Sequence, residues 1–208
     1  MRTLSIAGRP ARVHIAGTGP SILLLHGIPT SGALWRPVAA RLVAEGLRVL
    51  VPDLPGWGGS APLAGPPTSA AHTAWLTALL DALGERAPVV AGHDLGGLLA
   101  LELLVAGRAR AASLTSAWAG LGWMGARITA LPILERFFYR RYGGRLYIRR
   151  GAAPDRQAAA LETFGPGLAD PAVVPLMRDI ARGLSPSPLA RLSAQVRATR
   201  SPVRCIWG

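Results

Sequence analysis

The sequence predicts an α/β fold in which a mostly parallel sheet is flanked by helices. Short apolar runs of the kind that form buried strands alternate with longer helix-forming runs along most of the chain. That rhythm is typical of parallel strands joined by helical crossovers. Glycine and proline also crowd the ends of the apolar runs, where compact loops need unusual backbone dihedrals.

The first predicted elements are strands. An opening hairpin is expected to pair residues 2–6 with residues 11–15, with Gly8 near its turn. Residues 21–25, which read Ser-Ile-Leu-Leu-Leu, form a buried-strand run, and a further strand is expected at residues 47–51. Four strands are therefore expected within the first 51 residues.

Helices are predicted on either side of a loop region. One helical pattern begins near residue 34 and runs to about residue 45. A linker of Pro, Gly and Ala covers residues 61–68, and a second helix follows over residues 69–83. Gly84 is a plausible end for that helix.

The most informative stretch covers residues 89–100. A strand-type run ends in the pattern Gly-x-Asp-x-Gly, and a helix-forming run follows at once. This pattern is typical of a nucleophile elbow, a sharp strand-to-helix turn that presents one side chain at the top of a sheet. Asp94 occupies the apex, where serine is usual. A turn or helix N-cap role for Asp94 is the alternative, since aspartate is favoured in both places.

An aspartate at the apex predicts a particular chemistry. A carboxylate with a reference pKa near ~3.9 is already ionised at neutral pH, whereas a serine needs a base. It can attack an electrophilic carbon directly and form an ester, which a water activated by a histidine must then hydrolyse.

Three motifs together carry a family resemblance. Residues 26–36 contain His-Gly-Ile-Pro, Thr-Ser and Trp-Arg; residues 53–60 read Asp-Leu-Pro-Gly-Trp-Gly-Gly-Ser; residues 92–97 read Gly-His-Asp-Leu-Gly-Gly. In order and spacing the chain resembles the α/β-hydrolase superfamily, in particular the branch of epoxide hydrolases and haloalkane dehalogenases. The resemblance implies an α/β-hydrolase fold with a helical lid and no cofactor or metal.

The resemblance also implies roles for individual residues. Asp94 would be the nucleophile, and the backbone N–H groups of Ile28 and Leu95 would form the oxyanion hole. His26 lies too early in the chain to be the general base and is expected to brace its loop. Asp53 is expected to fix loops by hydrogen bonds, and His93 to pack beside the elbow.

Departures from the family pattern favour epoxides as substrates. Dehalogenases of this branch hold the leaving halide with side-chain N–H donors at the positions of Ile28 and Leu95, which have none. Epoxide hydrolases use lid tyrosines as proton donors, and the candidates are Tyr139, Tyr142 and Tyr147. A small apolar substrate is expected. A haloalkane dehalogenase, an ester hydrolase of the same fold and a non-catalytic binding protein remain alternatives.

The resemblance divides the chain into three parts. Residues 1–119 would be the first part of the core, residues 120–185 the helical lid, and residues 186–208 the return to the core, ending at a late strand. In the family an acid and a histidine follow that strand. Here none of the histidines follows the elbow; they are His14, His26, His72 and His93.

The sequence therefore looks incomplete at its C-terminus, without the last strand, the last helix and the general base. A chain without this base is expected to stop at the ester stage. The open sheet edge predicts aggregation or a homodimer.

Composition and charge bear on which binding partners are expected. The net charge is +12, and arginine supplies all of the positive charge. Residues 136–150 form a basic aromatic cluster, which could bind nucleic acid or an anionic membrane surface. An arginine-rich lid helix is the preferred interpretation, so no nucleic acid is expected.

Two further features concern the setting of the protein. The longest apolar stretch, residues 111–126, is shorter than the ~20 residues of a membrane span, so none is expected. Cys205 is the one cysteine and falls in a predicted buried strand, which favours a reducing, cytoplasmic location.

Overall fold

A computed structural model describes residues 1–117, 152–170, 175–176, 179–180 and 186–207 of the chain. Its strands form one sheet in the order β1-β2-β4-β3-β5-β6-β7. Their bounds are β1 Arg2–Ile6, β2 Arg9–Ala16, β3 Ser21–Leu25, β4 Arg48–Pro52, β5 Val89–His93, β6 Ala111–Thr115 and β7 Val203–Ile206.

Helices connect most of these strands. A 3₁₀ turn over Gly32–Trp35 leads into the first α-helix, and a second 3₁₀ turn, Pro154–Arg156, precedes the fourth. The α-helices are α1 Arg36–Ala44, α2 Ser69–Ala82, α3 Leu95–Val105, α4 Gln157–Ala169 and α5 Pro186–Ala198.

The strand pairing confirms the predicted class. β1 and β2 form an antiparallel hairpin, and β2 pairs antiparallel with β4. The remaining neighbours are parallel: β3 with β4 and β5, β5 with β6, and β6 with β7. Because parallel strands are joined by crossovers, the carboxyl ends of β3 and β5 lie side by side at one edge of the sheet.

The core explains why these segments form these elements. The larger hydrophobic cluster includes Leu23, Leu25, Val90 and Leu99, each fully buried. These side chains bring together β3, β5 and α3. α3 is apolar except for Glu102, because it is buried along most of its length.

The predicted limits of α2 agree with its capping. The Thr68 hydroxyl accepts a hydrogen bond from the backbone N–H of Ala71, which satisfies one of the free donors of the first turn. Gly84 follows the helix with a φ of +71°, a left-handed conformation that suits glycine. The predicted helix and its predicted end are both confirmed.

One prediction about β7 is wrong. The strand exists and pairs with β6, but Cys205 is exposed instead of buried. Every residue of β7 is exposed, and Ile206 and Trp207 are 49% and 57% accessible. The reason is position: β7 is the last strand in the sheet order, with β6 on one side and no described strand on the other.

Among the described residues, no helix is both long and apolar enough to cross a membrane.

Candidate active site

Asp94 stands at a strained turn between β5 and α3. Its backbone dihedrals are φ +53° and ψ −119°, a region that residues with a side chain rarely adopt. Such a conformation costs about 1–3 kcal/mol and persists only where the surrounding structure enforces it. Asp94 occupies the N-cap position of α3, as the alternative interpretation expected, but its side chain makes no capping hydrogen bond to that helix.

Glycines around Asp94 make the sharp turn possible. A Cβ on Gly92 would collide with the backbone of Gly96, and a Cβ on Gly96 would collide with the carbonyl oxygen of Leu25. A Cβ on Gly97 would overlap the side chain of Ala117. The pattern Gly-x-Asp-x-Gly-Gly is therefore a packing requirement, because strand and helix approach at backbone contact.

The loop after β3 packs directly on Asp94. The backbone N–H of Ile28 donates to Asp94 Oδ2 across 3.0 Å. A Cβ on Gly27 would lie 2.5 Å from the Asp94 Cβ and 2.8 Å from Oδ2, so only glycine allows this approach. The backbone N–H of the next residue, Leu95, also favours the ionised Asp94 carboxylate and so lowers its pKa. Of the two predicted oxyanion donors, Ile28 is thus hydrogen-bonded to this carboxylate.

Burial and hydrogen bonding act on Asp94 in opposite directions. Desolvation raises the pKa of its carboxyl above the ordinary value, because the charged form loses water. The hydrogen bond from Ile28, the adjacent Leu95 N–H and the nearby His93 lower the pKa, but desolvation is the larger effect. A poorly solvated carboxylate that keeps an amide donor is well suited to react.

The carbonyl oxygen of Gly27 is held by several donors. The Thr30 hydroxyl donates to it across 2.6 Å and the Thr30 backbone N–H across 3.1 Å. His26 Nδ1 lies 2.9 Å away. The Gly27–Ile28 peptide is therefore fixed from its carbonyl side, with its N–H directed to Asp94.

His26 is fully buried and links two loops. Its Nε2 accepts a hydrogen bond from the Leu54 backbone N–H across 2.9 Å. An accepting Nε2 carries no proton, so Nδ1 carries it and donates to Gly27. Burial lowers the pKa of His26 to about 4, which keeps the ring neutral. The bracing role predicted for His26 agrees with these contacts.

Asp53 joins the same two loops at a second point. Its Oδ1 accepts from the Gly32 backbone N–H and its Oδ2 from the Gly59 backbone N–H, both at 2.8 Å. A Cβ on Gly58 would collide with the carboxylate. These contacts agree with the predicted loop-fixing role and leave both carboxylate oxygens engaged.

Two further histidines, His93 and His72, have different surroundings. His93 precedes Asp94, and desolvation lowers its pKa; its Nδ1 is buried without a hydrogen-bond partner among the described residues. His72 lies on α2, where Nδ1 bonds the carbonyl oxygen of Thr68 at 2.9 Å. Desolvation also lowers the pKa of His72.

Sequence reasoning found part of this site. The structure brings together Asp94, Ile28 and Leu95. The lid tyrosines Tyr139, Tyr142 and Tyr147 lie outside the described residues. Sequence reasoning missed Thr30 and the Leu54 N–H. The motif His-Gly-x-Pro-Thr could have suggested the first, because a threonine three residues after a glycine can bond its carbonyl; no local signal points to the second.

Within the described residues, no group of His, Cys, Asp and Glu side chains is arranged to hold a metal ion.

One helix packs closely on the loop after β3: a Cβ on Gly167, in α4, would collide with the carbonyl oxygen of Pro29. α4 thus lies against the loop that carries Ile28.

Comparison with known proteins places these features in a family. Residues 20–165 match the family model described as alpha/beta hydrolase fold. The chain is 36% identical over 103 residues to "Epoxide hydrolase 2" of Siraitia grosvenorii, covering 47% of this chain and 32% of that protein. It is 38% identical over 99 residues to a haloalkane dehalogenase of Psychrobacter cryohalolentis, covering 45% of this chain and 33% of that protein.

Solved structures share this fold. An alpha/beta hydrolase fold protein from Burkholderia ambifaria superposes with a TM-score of 0.79 at 21% identity, covering 100% of this chain and 79% of that one. The matches to the two curated relatives, in contrast, each span about a third of the relative's length.

Proposed function

The chain belongs to the alpha/beta hydrolase fold family, and on that premise we propose that it attacks an electrophilic carbon, most readily that of an epoxide, with the Asp94 carboxylate. The observation that carries the proposal is the hydrogen bond from Ile28 N–H to Asp94 Oδ2, at the apex of a strained turn. One carboxylate oxygen is thereby held, and Oδ1 is the oxygen left to react.

The proposed first step is the opening of the epoxide ring by the Asp94 carboxylate. An Asp94 Oδ1 electron pair forms a bond to one ring carbon, the ring C–O bond breaks, and the ring oxygen leaves as an alkoxide that takes up a proton. The product is a hydroxyalkyl ester of Asp94, and no atom is lost from the epoxide. A lid covering residues 120–185 would supply the proton through Tyr139, Tyr142 or Tyr147, whose phenols are suited to this role.

The proposed oxyanion hole acts in the second step. When water attacks the ester carbonyl carbon, the carbonyl oxygen becomes negatively charged. The N–H group of Ile28 already donates to this carboxyl group, and that of Leu95 favours its charged form. One such donor lowers the barrier by about 2.7–4 kcal/mol.

The second step also needs a base. All four histidines of the 208 residues lie at or before position 93, and His26 Nε2 is occupied by the Leu54 N–H. We therefore propose that a protein of these 208 residues forms the ester and hydrolyses it slowly or not at all.

Two side chains favour an epoxide over an alkyl halide. Ile28 and Leu95 offer backbone donors only, and the Ile28 donor is already bonded to Asp94. A departing halide would find no side-chain N–H at these positions. An alkoxide needs only a proton donor, which water or a phenol supplies.

Intact-mass measurement tests the substrate class. The protein is incubated separately with a terminal aryl epoxide, the matching alkyl bromide and an activated ester. We expect one added epoxide mass per chain, and a much slower gain of the alkyl group from the bromide. Faster labelling by the bromide would favour a dehalogenase, ester turnover that needs Asp94 would favour an ester hydrolase, and no reaction would favour a binding protein.

Three expectations about setting stay predictions: a small apolar substrate, a cytoplasmic location and a homodimer formed at the open edge of the sheet. Val203, Ile206 and Trp207 expose apolar surface there. Analytical ultracentrifugation across a concentration series would detect the dimer, and a charged substitution at Ile206 should weaken it.

A further inference from the structure

A chain of hydrogen bonds runs from the loop after β4 to the reactive carboxylate. Leu54 N–H donates to His26 Nε2 at 2.9 Å, His26 Nδ1–H donates to the Gly27 carbonyl at 2.9 Å, and Ile28 N–H donates to Asp94 Oδ2 at 3.0 Å. We infer that His26 is a positioning residue that aims the Ile28 N–H at Asp94 by holding the Gly27–Ile28 peptide from its carbonyl side. This inference rests on the proposed function and deepens it.

The first step of the argument is the tautomer of His26. A backbone N–H can only donate, so the Leu54 contact forces Nε2 to accept. In a neutral imidazole the proton then stays on Nδ1, which faces the Gly27 oxygen. The ring is fully buried, so no solvent competes for either nitrogen.

The second step is the rigidity of the peptide unit. The Gly27 carbonyl and the Ile28 N–H belong to one planar trans peptide group and point in opposite directions. Donors that fix the carbonyl therefore fix the direction of the N–H. Thr30 contributes two of these donors and His26 the third.

The third step is the effect on Asp94. The Ile28 N–H favours the ionised carboxylate, against the desolvation that disfavours it. A peptide that tilts away from Asp94 would leave desolvation less opposed. The Asp94 carboxyl would then titrate at higher pH and react more slowly.

The charged and titratable groups around His26 support a neutral ring. Asp53 is the nearby acid and favours protonation, but its two oxygens are occupied by Gly32 and Gly59. His72 and His93 oppose protonation of His26. A protonated His26 would present a donor to the Leu54 N–H and break the chain at its first link.

Two substitutions separate the two ends of the ring. In His26→Asn the side-chain amide nitrogen replaces Nδ1 and can still donate to Gly27, but nothing reaches Leu54. In His26→Gln the side-chain oxygen replaces Nε2 and can still accept from Leu54, but nothing donates to Gly27. His72→Gln is the matched control, because His72 is also buried, and its Nδ1 bonds the Thr68 carbonyl oxygen at the start of its own helix instead of the Gly27 carbonyl.

The Asp94 titration is followed by carbon NMR of labelled aspartate, and the labelling rate by intact mass with the aryl epoxide. We expect His26→Gln to raise the Asp94 pKa and to slow labelling about 10-fold, less than the ~10²–10³ expected for complete loss of an oxyanion donor. His26→Asn and His72→Gln should leave the Asp94 pKa at the unsubstituted value.

Several outcomes would overturn the inference. Equal shifts of the Asp94 pKa in His26→Asn and His26→Gln would overturn it. An unchanged Asp94 pKa in His26→Gln would also overturn it. If the variants do not fold, nitrogen NMR of the unsubstituted protein decides: a protonated Nδ1 with a bare Nε2 supports the inference, and the opposite tautomer contradicts it. Because the NMR readouts need no reaction, an Asp94 shift without any labelling would retain the positioning role and reject the proposed chemistry.

Discussion

The backbone N–H of Ile28 donates to Asp94 Oδ2 across 3.0 Å and so joins the loop after β3 to the turn after β5. The two strands are parallel neighbours, paired from Ile22 with Val89 to Leu25 with Gly92. Their register brings both loops to the same end of the sheet. The site is therefore a consequence of topology, since the two residues it joins are 66 positions apart in the chain.

Replacing the apical carboxylate should stabilise the fold. Asp94 combines a desolvated charge with a φ of +53°, and Asp94→Asn removes the charge while keeping an oxygen for Ile28. We expect the free energy of unfolding at pH 7 to rise by about 0.5–2 kcal/mol, a common gain when a functional residue is replaced.

Urea unfolding measures this gain. Because folding raises the pKa of Asp94, its ionisation weakens the fold as the pH rises. The gain from Asp94→Asn should therefore be smaller at pH 4 than at pH 7. A variant less stable than the parent at both values would contradict the account.

The elbow glycines should tolerate no side chain. A Cβ on Gly96 would meet the carbonyl oxygens of Leu25 and His26, which are backbone atoms and do not move easily. Gly96→Ala should cost about 3 kcal/mol, the upper part of the range for overpacking. Gly65→Ala is the control, because no atom lies within 4 Å of its Cβ position. Thermal unfolding of both variants tests the difference, and equal melting temperatures would contradict it.

Much of this could be predicted from the sequence. The hairpin, the strand at Ser21–Leu25, α2 and the elbow follow from local patterns of apolar residues, glycine and turn residues. The family resemblance carried by the motifs also implied Ile28 and Leu95 as donors. The His26–Leu54 contact could not be predicted, because it joins residues 28 positions apart and one partner is a backbone N–H. The open edge itself was expected, but the exposure of Cys205 was missed because a short apolar run does not show whether the two faces of a strand are covered.

Stability should fall as the medium becomes acidic. Folding lowers the pKa of His26 from 6.5 to about 4, so the unfolded chain binds more protons than the folded one between these values. The contribution of His26 is fully present above pH 6.5 and is lost as the pH falls towards 4. A shift of this size corresponds to roughly 3 kcal/mol.

Urea titrations at several pH values test this dependence. Folding also lowers the pKa values of His72 and His93, so both residues add to the slope of stability against pH. His26→Gln should make the stability profile between pH 6.5 and 4 flatter. A profile that stays equally steep in the variant would show that His26 contributes little.

Asp53 should contribute more to the free energy of unfolding than an exposed aspartate does. Both of its oxygens accept backbone N–H groups, from Gly32 and Gly59. Asp53→Asn turns one acceptor into a donor that faces an N–H and should cost about 2 kcal/mol. The control is Asp81→Asn, because Asp81 is 62% exposed and pairs with Arg108 at the surface, where such pairs contribute about 0–1 kcal/mol. Similar losses in both variants would contradict the bracing role of Asp53.

The most direct test of the central claim locates the covalent bond. The protein is labelled with the aryl epoxide, digested, and mapped by tandem mass spectrometry, with Asp94→Asn treated in parallel. The account predicts one hydroxyalkyl ester on the Asp94 carboxylate, released by hydroxylamine and absent from the variant. A label on Cys205 or on a histidine, at the same rate in parent and Asp94→Asn, would contradict it.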